Sequence, residues 1–255
     1  MYVSIFDREY FKEDLPSLLI MGTARNIEPF IHPLKQSLEI IIRSVPDYSL
    51  VIVESNSSDN SLSLLQNWCS QDKRRHVIGL GQLTEPERTK RIAHCRNEYM
   101  KYAKQYDLFK KHDFTLIIDL DDVLQIESNF KQQLESCFER HDWDVLAANR
   151  RSKYYDIWAL RSKELGINFD CWEMVNTHQM TVQDAVARFQ KIIPIDHPWI
   201  KVESAFGGMV LCKSESIQYR IYNGDNGCEH VPFFKGLVMY INPKLISGSS
   251  SVHEA

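Results

Sequence analysis

The chain has 255 residues, 44% of them hydrophobic, with 30 Lys and Arg against 34 Asp and Glu and a formal net charge of −4. This length and apolar content supply a full core, and the nearly balanced charge gives no electrostatic case for a nucleic-acid or anionic-membrane partner. Six cysteines, at positions 69, 95, 137, 171, 212 and 228, form no CxxC pair, which argues against a zinc site or a disulfide framework and for reduced thiols in a cytoplasmic protein.

The opening stretch MYVSIFDREYFKED carries acidic residues where a leader peptide needs an unbroken apolar core. No window approaches the roughly 18 apolar residues of a transmembrane segment, so membrane association is expected only as peripheral attachment. Residues 17–21, SLLIM, read as a buried strand closed by Gly22. Phe30, Ile31, Leu34, Leu38, Ile41, Ile42 and Val45 then recur at helical spacing, with Pro29 and Pro33 near the helix start. Residues 50–53, LVIV, form a second strand, and Ser57, Ser58 and Asp59 precede a helix carrying Leu62, Leu65 and Trp68. A weak strand at 77–79, a helix over 87–106 and a strand at 114–118 continue the alternation. Strands separated by helices predict an α/β fold, a mainly parallel central sheet with helices on both faces. Further on, 143–148, 155–160, 209–213 and 237–241 read as strands and 182–189 as a helix. No Pro/Gly-rich linker divides the chain. One domain is expected, with a nucleotide-type half over about 17–125, an acceptor-type half over about 126–245 and a flexible, Ser-rich tail at 246–255.

The strand at 114–118 runs directly into Asp119, Asp121 and Asp122. Side chains two apart on an extended chain project the same way, about 6 to 7 Å apart. Two carboxylates so placed repel each other unless something positive lies between them. In open α/β sheets ligands bind at the carboxyl ends of the strands, and all-oxygen ligands suit Mg2+ or Mn2+ with positions left for substrate phosphates. The alternative is a turn-capping Asp119 followed by solvated loop carboxylates. Two earlier strand ends bear on the choice. The first, MGTARN, brings Gly22, Thr23, Arg25 and Asn26 to a place where backbone N–H groups and a guanidinium meet phosphate. The second, VESNSSDN, brings Glu54 and Asn56. RIAHCRN puts Arg91, Arg96 and Asn97 on the helix that leads toward the carboxylate strand.

As an ordered set, strand-xxRN, strand-(D/E)xxSxD, RxxxxRN and strand-DxDD resemble the nucleotide-sugar-binding half of GT-A glycosyltransferases, close to the family 2 pattern. YYDIWALR (154–161), SAFGGMVLCK (204–213) and CEHVPF (228–233) are similar to capsule-associated, mannosyltransferase-like members of that fold. The resemblance spans roughly residues 17–245 and implies a GT-A type, Rossmann-like sandwich. It implies a hexosyltransferase that uses Mn2+ or Mg2+, a nucleotide-sugar donor and a glycan or lipid-linked acceptor. Thr23, Arg25, Asn26, Glu54, Asn56, Arg91, Arg96, Asn97, Asp119, Leu120, Gly207 and Gly208 would then contact the nucleotide sugar. Asp121 and Asp119 would hold the ion, with His230 or His253 completing the set. Glu229, ahead of a late helix, is the candidate general base, although a Glu there also suits the helix dipole. Tyr154, Tyr155, Trp158 and Trp199 offer faces for a sugar ring, though aromatics on strands are more often core. A sugar-1-phosphate nucleotidyltransferase would need an early Gly-rich loop, and MGTARNIEP has one glycine. A non-catalytic scaffold that keeps the fold is the third reading.

Overall fold

The structure, a computed structural model, describes residues 15–225 and 227–248. In chain order the front half comprises β1 (Leu18–Ala24), α1 (Ile31–Arg43), β2 (Tyr48–Glu54), α2 (Ser61–Cys69), β3 (Arg75–Gly79), α3 (Arg88–Gln105), α4 (Leu108–Lys111) and β4 (Phe114–Leu120). The second half adds α5 (Phe130–Ser136), β5 (Val145–Arg150), α6 (Cys171–Asn176), α7 (Val182–Ala185), β6 (Ile200–Val202), β7 (Met209–Lys213), α8 (Ser214–Ile217), α9 (His230–Phe234) and β8 (Met239–Gly248). One eight-stranded sheet runs β3-β2-β1-β4-β7-β5-β8-β6. The neighbours β3-β2, β2-β1, β1-β4 and β5-β8 are parallel, whereas β7 pairs antiparallel with β4 and β5, and β6 with β8.

Both faces of the sheet are covered, which is why its strands are continuous apolar runs rather than alternating ones. On one face Leu19, Met21, Val51, Val53 and Ile117 pack with Tyr99, Met100 and Ala103 of α3. On the other, Leu18, Ile20, Leu50, Ile52, Leu116 and Ile118 pack with Leu34, Leu38 and Ile41 of α1, Trp68 of α2 and Phe130 and Leu134 of α5. Gly22 does not close β1 as expected; it lies inside the strand. A Cβ there would come within 2.8 Å of Leu120 Cγ, so the glycine marks the close approach of the β4 end.

The strand expected at 155–160 does not form. Asp156 instead folds the segment into a turn, accepting from Ala159 N at 3.3 Å and from Gly207 N at 3.1 Å. Its apolar residues Ile157, Ala159 and Leu160 are buried as parts of a loop. The helix expected at 182–189 breaks at Val186 (φ −122, ψ −68) into α7 and a 3-10 turn, Ala187–Phe189. β8 extends to Gly248, so the boundary of the expected tail falls within a strand, and 249–255, with His253, lie outside the described residues. All six cysteines are buried free thiols. Among the described residues no helix is long and apolar enough to cross a membrane.

His112 ties the strand starts together. Its Nδ1 lies 2.9 Å from Ser17 Oγ and its Nε2 2.9 Å from Ser49 Oγ, with no exposed surface. Burial pushes its pKa down from 6.5 to about 4. Below pH 6.5 the unfolded chain therefore binds a proton that the native state refuses, and stability present above 6.5 is lost as pH falls toward 4, by on the order of 2–3 kcal/mol. Urea unfolding across pH 7 to 4.5 should show this loss, and His112→Asn should flatten it; an unchanged slope in the variant would assign the acid sensitivity elsewhere.

Candidate functional site

A cleft of about 620 Å³ opens over the carboxyl ends of β1, β2 and β4. Thr23, Ala24 and Arg25 line it from β1, Ser55 and Asn56 from β2, and Arg88, Arg91, Cys95 and Arg96 from α3. Asp119, Leu120 and Asp121 form its floor, and Tyr155, Asp156, Trp158, Trp172, Phe206, Glu229 and His230 close it from the second half.

β4 delivers Asp119 opposite Thr23 of β1, and Asp119 N donates to Gly208 O at 3.0 Å. Asp121 follows in a tight turn, its Oδ1 accepting from Val123 N at 3.1 Å. Burial, then the neighbouring charge of Asp119, pushes the Asp121 carboxyl up from 3.8 to about 7. Arg96 is committed elsewhere. Its Nη2 donates to Asp119 Oδ1 and its Nε to Glu229 Oε1, both at 2.9 Å, and its Nη1 to Tyr99 Oη at 3.3 Å. The guanidinium lies 5.2 Å from the Phe206 ring centroid and 5.6 Å from that of Tyr222. Desolvation strengthens these charge-assisted bonds.

Glu229 is the N-cap residue of α9. Next to it, His230 stacks on Phe206 at 3.9 Å between centroids and on Phe234 at 5.5 Å. Both His230 ring nitrogens are buried without a hydrogen-bond partner, and Nε2 lies 3.6 Å from Glu229 Oε1. Burial, then the Arg96 charge, holds its pKa well below 6.5, so the ring is neutral. Asp156 is a further carboxyl at the cleft that the sequence reading did not single out. Burial raises its pKa from 3.8 to about 6. Its place between aromatics in YYDIW was the available signal.

Ten of the expected residues therefore meet in one cleft: Thr23, Arg25, Asn56, Arg91, Arg96, Asp119, Leu120, Asp121, Glu229 and His230. Five do not line it and instead fix its walls. Asn26 (φ +51) accepts from Ser58 N through Oδ1 at 2.9 Å. Glu54 is buried and accepts from Ser57 N at 3.2 Å. The Asn97 amide is used on both sides by the Tyr222 backbone, at 2.9 and 2.8 Å. Gly207 (φ +67) lies where a Cβ would meet Ala148 O at 2.5 Å, and Gly208 (φ +83) holds Asp119 N. Of the aromatic candidates, Tyr155 and Trp158 line the cleft, Tyr154 is core, and Trp199 packs on Tyr240 at 5.9 Å. Trp172, not foreseen, lines the cleft with 42% of its surface exposed.

Among the described residues no three His, Cys, Asp or Glu side chains group tightly enough to close a metal site. What the cleft offers is a pair of acidic side chains at one strand end, one of them driven toward protonation by burial and then by the other. Two carboxyls so placed fit a divalent ion that keeps open positions for other ligands.

The sequence matches no protein-family profile and no curated protein. Among solved structures, the mannosyltransferase PcManGT from Pyrobaculum calidifontis, in complex with GDP-Man and Mn2+, aligns over 93% of this chain and 59% of its own, with a TM-score of 0.53 at 12% identity. Residues 1-349 of S. aureus TarS align over 92% of this chain and 60% of their own length, with a TM-score of 0.49 at 13% identity. Glucosyl-3-phosphoglycerate synthase from Mycobacterium tuberculosis, in complex with UDP, aligns over 92% of this chain and 72% of its own, with a TM-score of 0.47 at 11% identity. The chain spans about three-fifths of the length of the first two. At such identities the likeness is one of fold, and the fold is the GT-A type of glycosyltransferases.

Proposed function

We propose that the protein is a metal-dependent glycosyltransferase, moving a hexose from a nucleotide-sugar donor to a hydroxyl of a glycan or lipid-linked acceptor. The observation that carries this reading is Asp121, a carboxyl at the end of β4 that burial and Asp119 push to about 7, in a cleft whose volume of about 620 Å³ suits a nucleotide sugar. Arg96 is already divided between Asp119 and Glu229, so a divalent cation is the economical way to make two ionised carboxyls acceptable there. The GT-A fold adds an independent reason to expect nucleotide-sugar chemistry, and PcManGT was solved with GDP-Man and Mn2+.

Asp121 and Asp119 would hold the ion, and when bound it supplies Lewis-acid stabilisation of the charge gained by the departing nucleoside diphosphate. Thr23, Arg25 and Asn56, at the ends of β1 and β2, would hold the nucleoside, and Arg91 the diphosphate. Glu229 would act as general base at Oε2, because Oε1 already accepts from Arg96 Nε. The bond to Arg96 keeps that carboxylate aimed. His230, neutral, offers an unpartnered nitrogen to the ion or to a phosphate oxygen. Phe206, against Arg96 and His230, keeps water from this end of the cleft.

The test is direct. UDP, GDP, CDP and dTDP are screened by thermal shift with and without Mn2+; one of them should raise the melting temperature only when Mn2+ is present, and the matching nucleotide sugar should slowly release its nucleoside diphosphate. Absence of any Mn2+-dependent shift would defeat the assignment.

A further inference from the structure

Trp172, with 42% of its surface exposed, and Trp158 line the same cleft. One side chain bonds the Trp158 indole and the backbone N–H of Trp172. Asp170 Oδ2 accepts from Trp158 Nε1 at 2.9 Å and from Arg161 Nη2 at 3.4 Å. Its Oδ1 caps α6 by accepting from Trp172 N and Glu173 N, each at 3.0 Å. The segment leading to Glu229 packs on this carboxylate too: Gly227 has φ +82, and a Cβ there would lie 2.5 Å from Asp170 Oδ2. On its other side the Trp158 turn is anchored by Asp156 to Gly207, next to the glycine that holds Asp119 N. The Trp158 indole and the backbone that carries Trp172 are thus tied to the segment of Glu229 and to the strand end that carries Asp119.

We infer that Trp158 and Trp172 form the acceptor subsite, a platform for the apolar C–H face of a pyranose ring in a glycan acceptor, with Asp170 as its positioning residue. This rests on the proposed transferase function. A hydroxyl that gives its proton to Glu229 belongs to a ring lying in the cleft, and the same cleft is lined by these two indoles. Indole faces suit carbohydrate because they cover the ring's C–H groups while leaving its hydroxyls free to hydrogen-bond elsewhere. A rigid, pre-set aromatic surface also costs little entropy on binding.

The experiment titrates mannotriose, cellotriose and chitotriose into the protein and follows tryptophan fluorescence, with GDP and UDP affinities in Mn2+ measured in parallel by calorimetry. At least one trisaccharide should quench saturably. Trp172→Ala should weaken that trisaccharide roughly tenfold with nucleotide affinity held within about twofold, Trp172→Phe should recover part of the loss, and Asp170→Asn should weaken the trisaccharide in the same selective way. Since Trp172 is exposed, the Ala variant is expected to fold, which its melting curve checks. Equal trisaccharide binding by wild type and Trp172→Ala overturns the inference, as does equal loss of nucleotide and trisaccharide. Nucleotide binding with no trisaccharide binding overturns the inference alone; failure of both ligands on the wild type takes the transferase reading with it.

Discussion

Asp121→Asn should lower sugar transfer by about a thousandfold or more and, in the absence of metal at pH 8, should make the protein more stable. The two effects have one cause. The wild-type carboxyl titrates near 7 in the folded state against 3.8 for an ordinary Asp. Between those values the native state keeps a proton that the unfolded chain releases, so stability falls as pH rises through this window, and the loss is complete above about 7. The penalty at full ionisation is on the order of a few kcal/mol. The amide of Asn is not ionised and still accepts from Val123 N, so most of the penalty disappears. Calorimetry in EDTA should show the variant melting several degrees higher than wild type at pH 8 and equally at pH 4. A variant no more stable than wild type at pH 8 would mean that the carboxyl bears no such burden.

Arg96→Met should produce the largest loss of stability. The guanidinium is almost wholly buried and ion-paired to Asp119 and Glu229 at once. Removing one partner of a buried ion pair costs about 3–5 kcal/mol, because a charge is left without compensation. The share at Asp119, whose side chain is 28% exposed, is reduced by solvent; the share at Glu229, 4% exposed, is not. Arg96→Lys should recover little, since an ammonium does not reproduce the fork that reaches two carboxylates and Tyr99. Urea unfolding measures the loss, and adding Glu229→Gln to Arg96→Met should restore part of it. Additive losses in that double-mutant cycle would contradict the coupling.

The front half was legible because each element agrees with its neighbours. Residues 50–53 are apolar without a break because both faces of β2 are covered, and the DLDD run directly follows a buried strand. Sequence spacing located the cleft but not which polar groups were already spent. Glu54 stands at the end of β2 and Asn97 on α3, as expected, yet the carboxylate of the first accepts from Ser57 N and the amide of the second is used by Tyr222. In the second half, residues 155–160 alternate like a strand because a buried loop must also face the core, and the turn is set by Asp156 through contact with Gly207, 51 positions away. Asp170 and Trp172 lie where no periodicity exists to be read. Asp170 takes its role from the bonds it accepts from Trp158 and Arg161, and Trp172 from its place next to that carboxylate, to which its backbone N donates.

Mn2+ titration followed by electron paramagnetic resonance, on wild type and Asp121→Asn, with and without GDP or UDP, probes the ion site itself. Wild type should take up one ion, more tightly with nucleotide present and more weakly as pH falls below about 7, where Asp121 must release its proton; the variant should leave the Mn2+ signal that of the free ion. Equal uptake by both proteins, or none by either in the presence of nucleotide, would contradict a metal held at the end of β4.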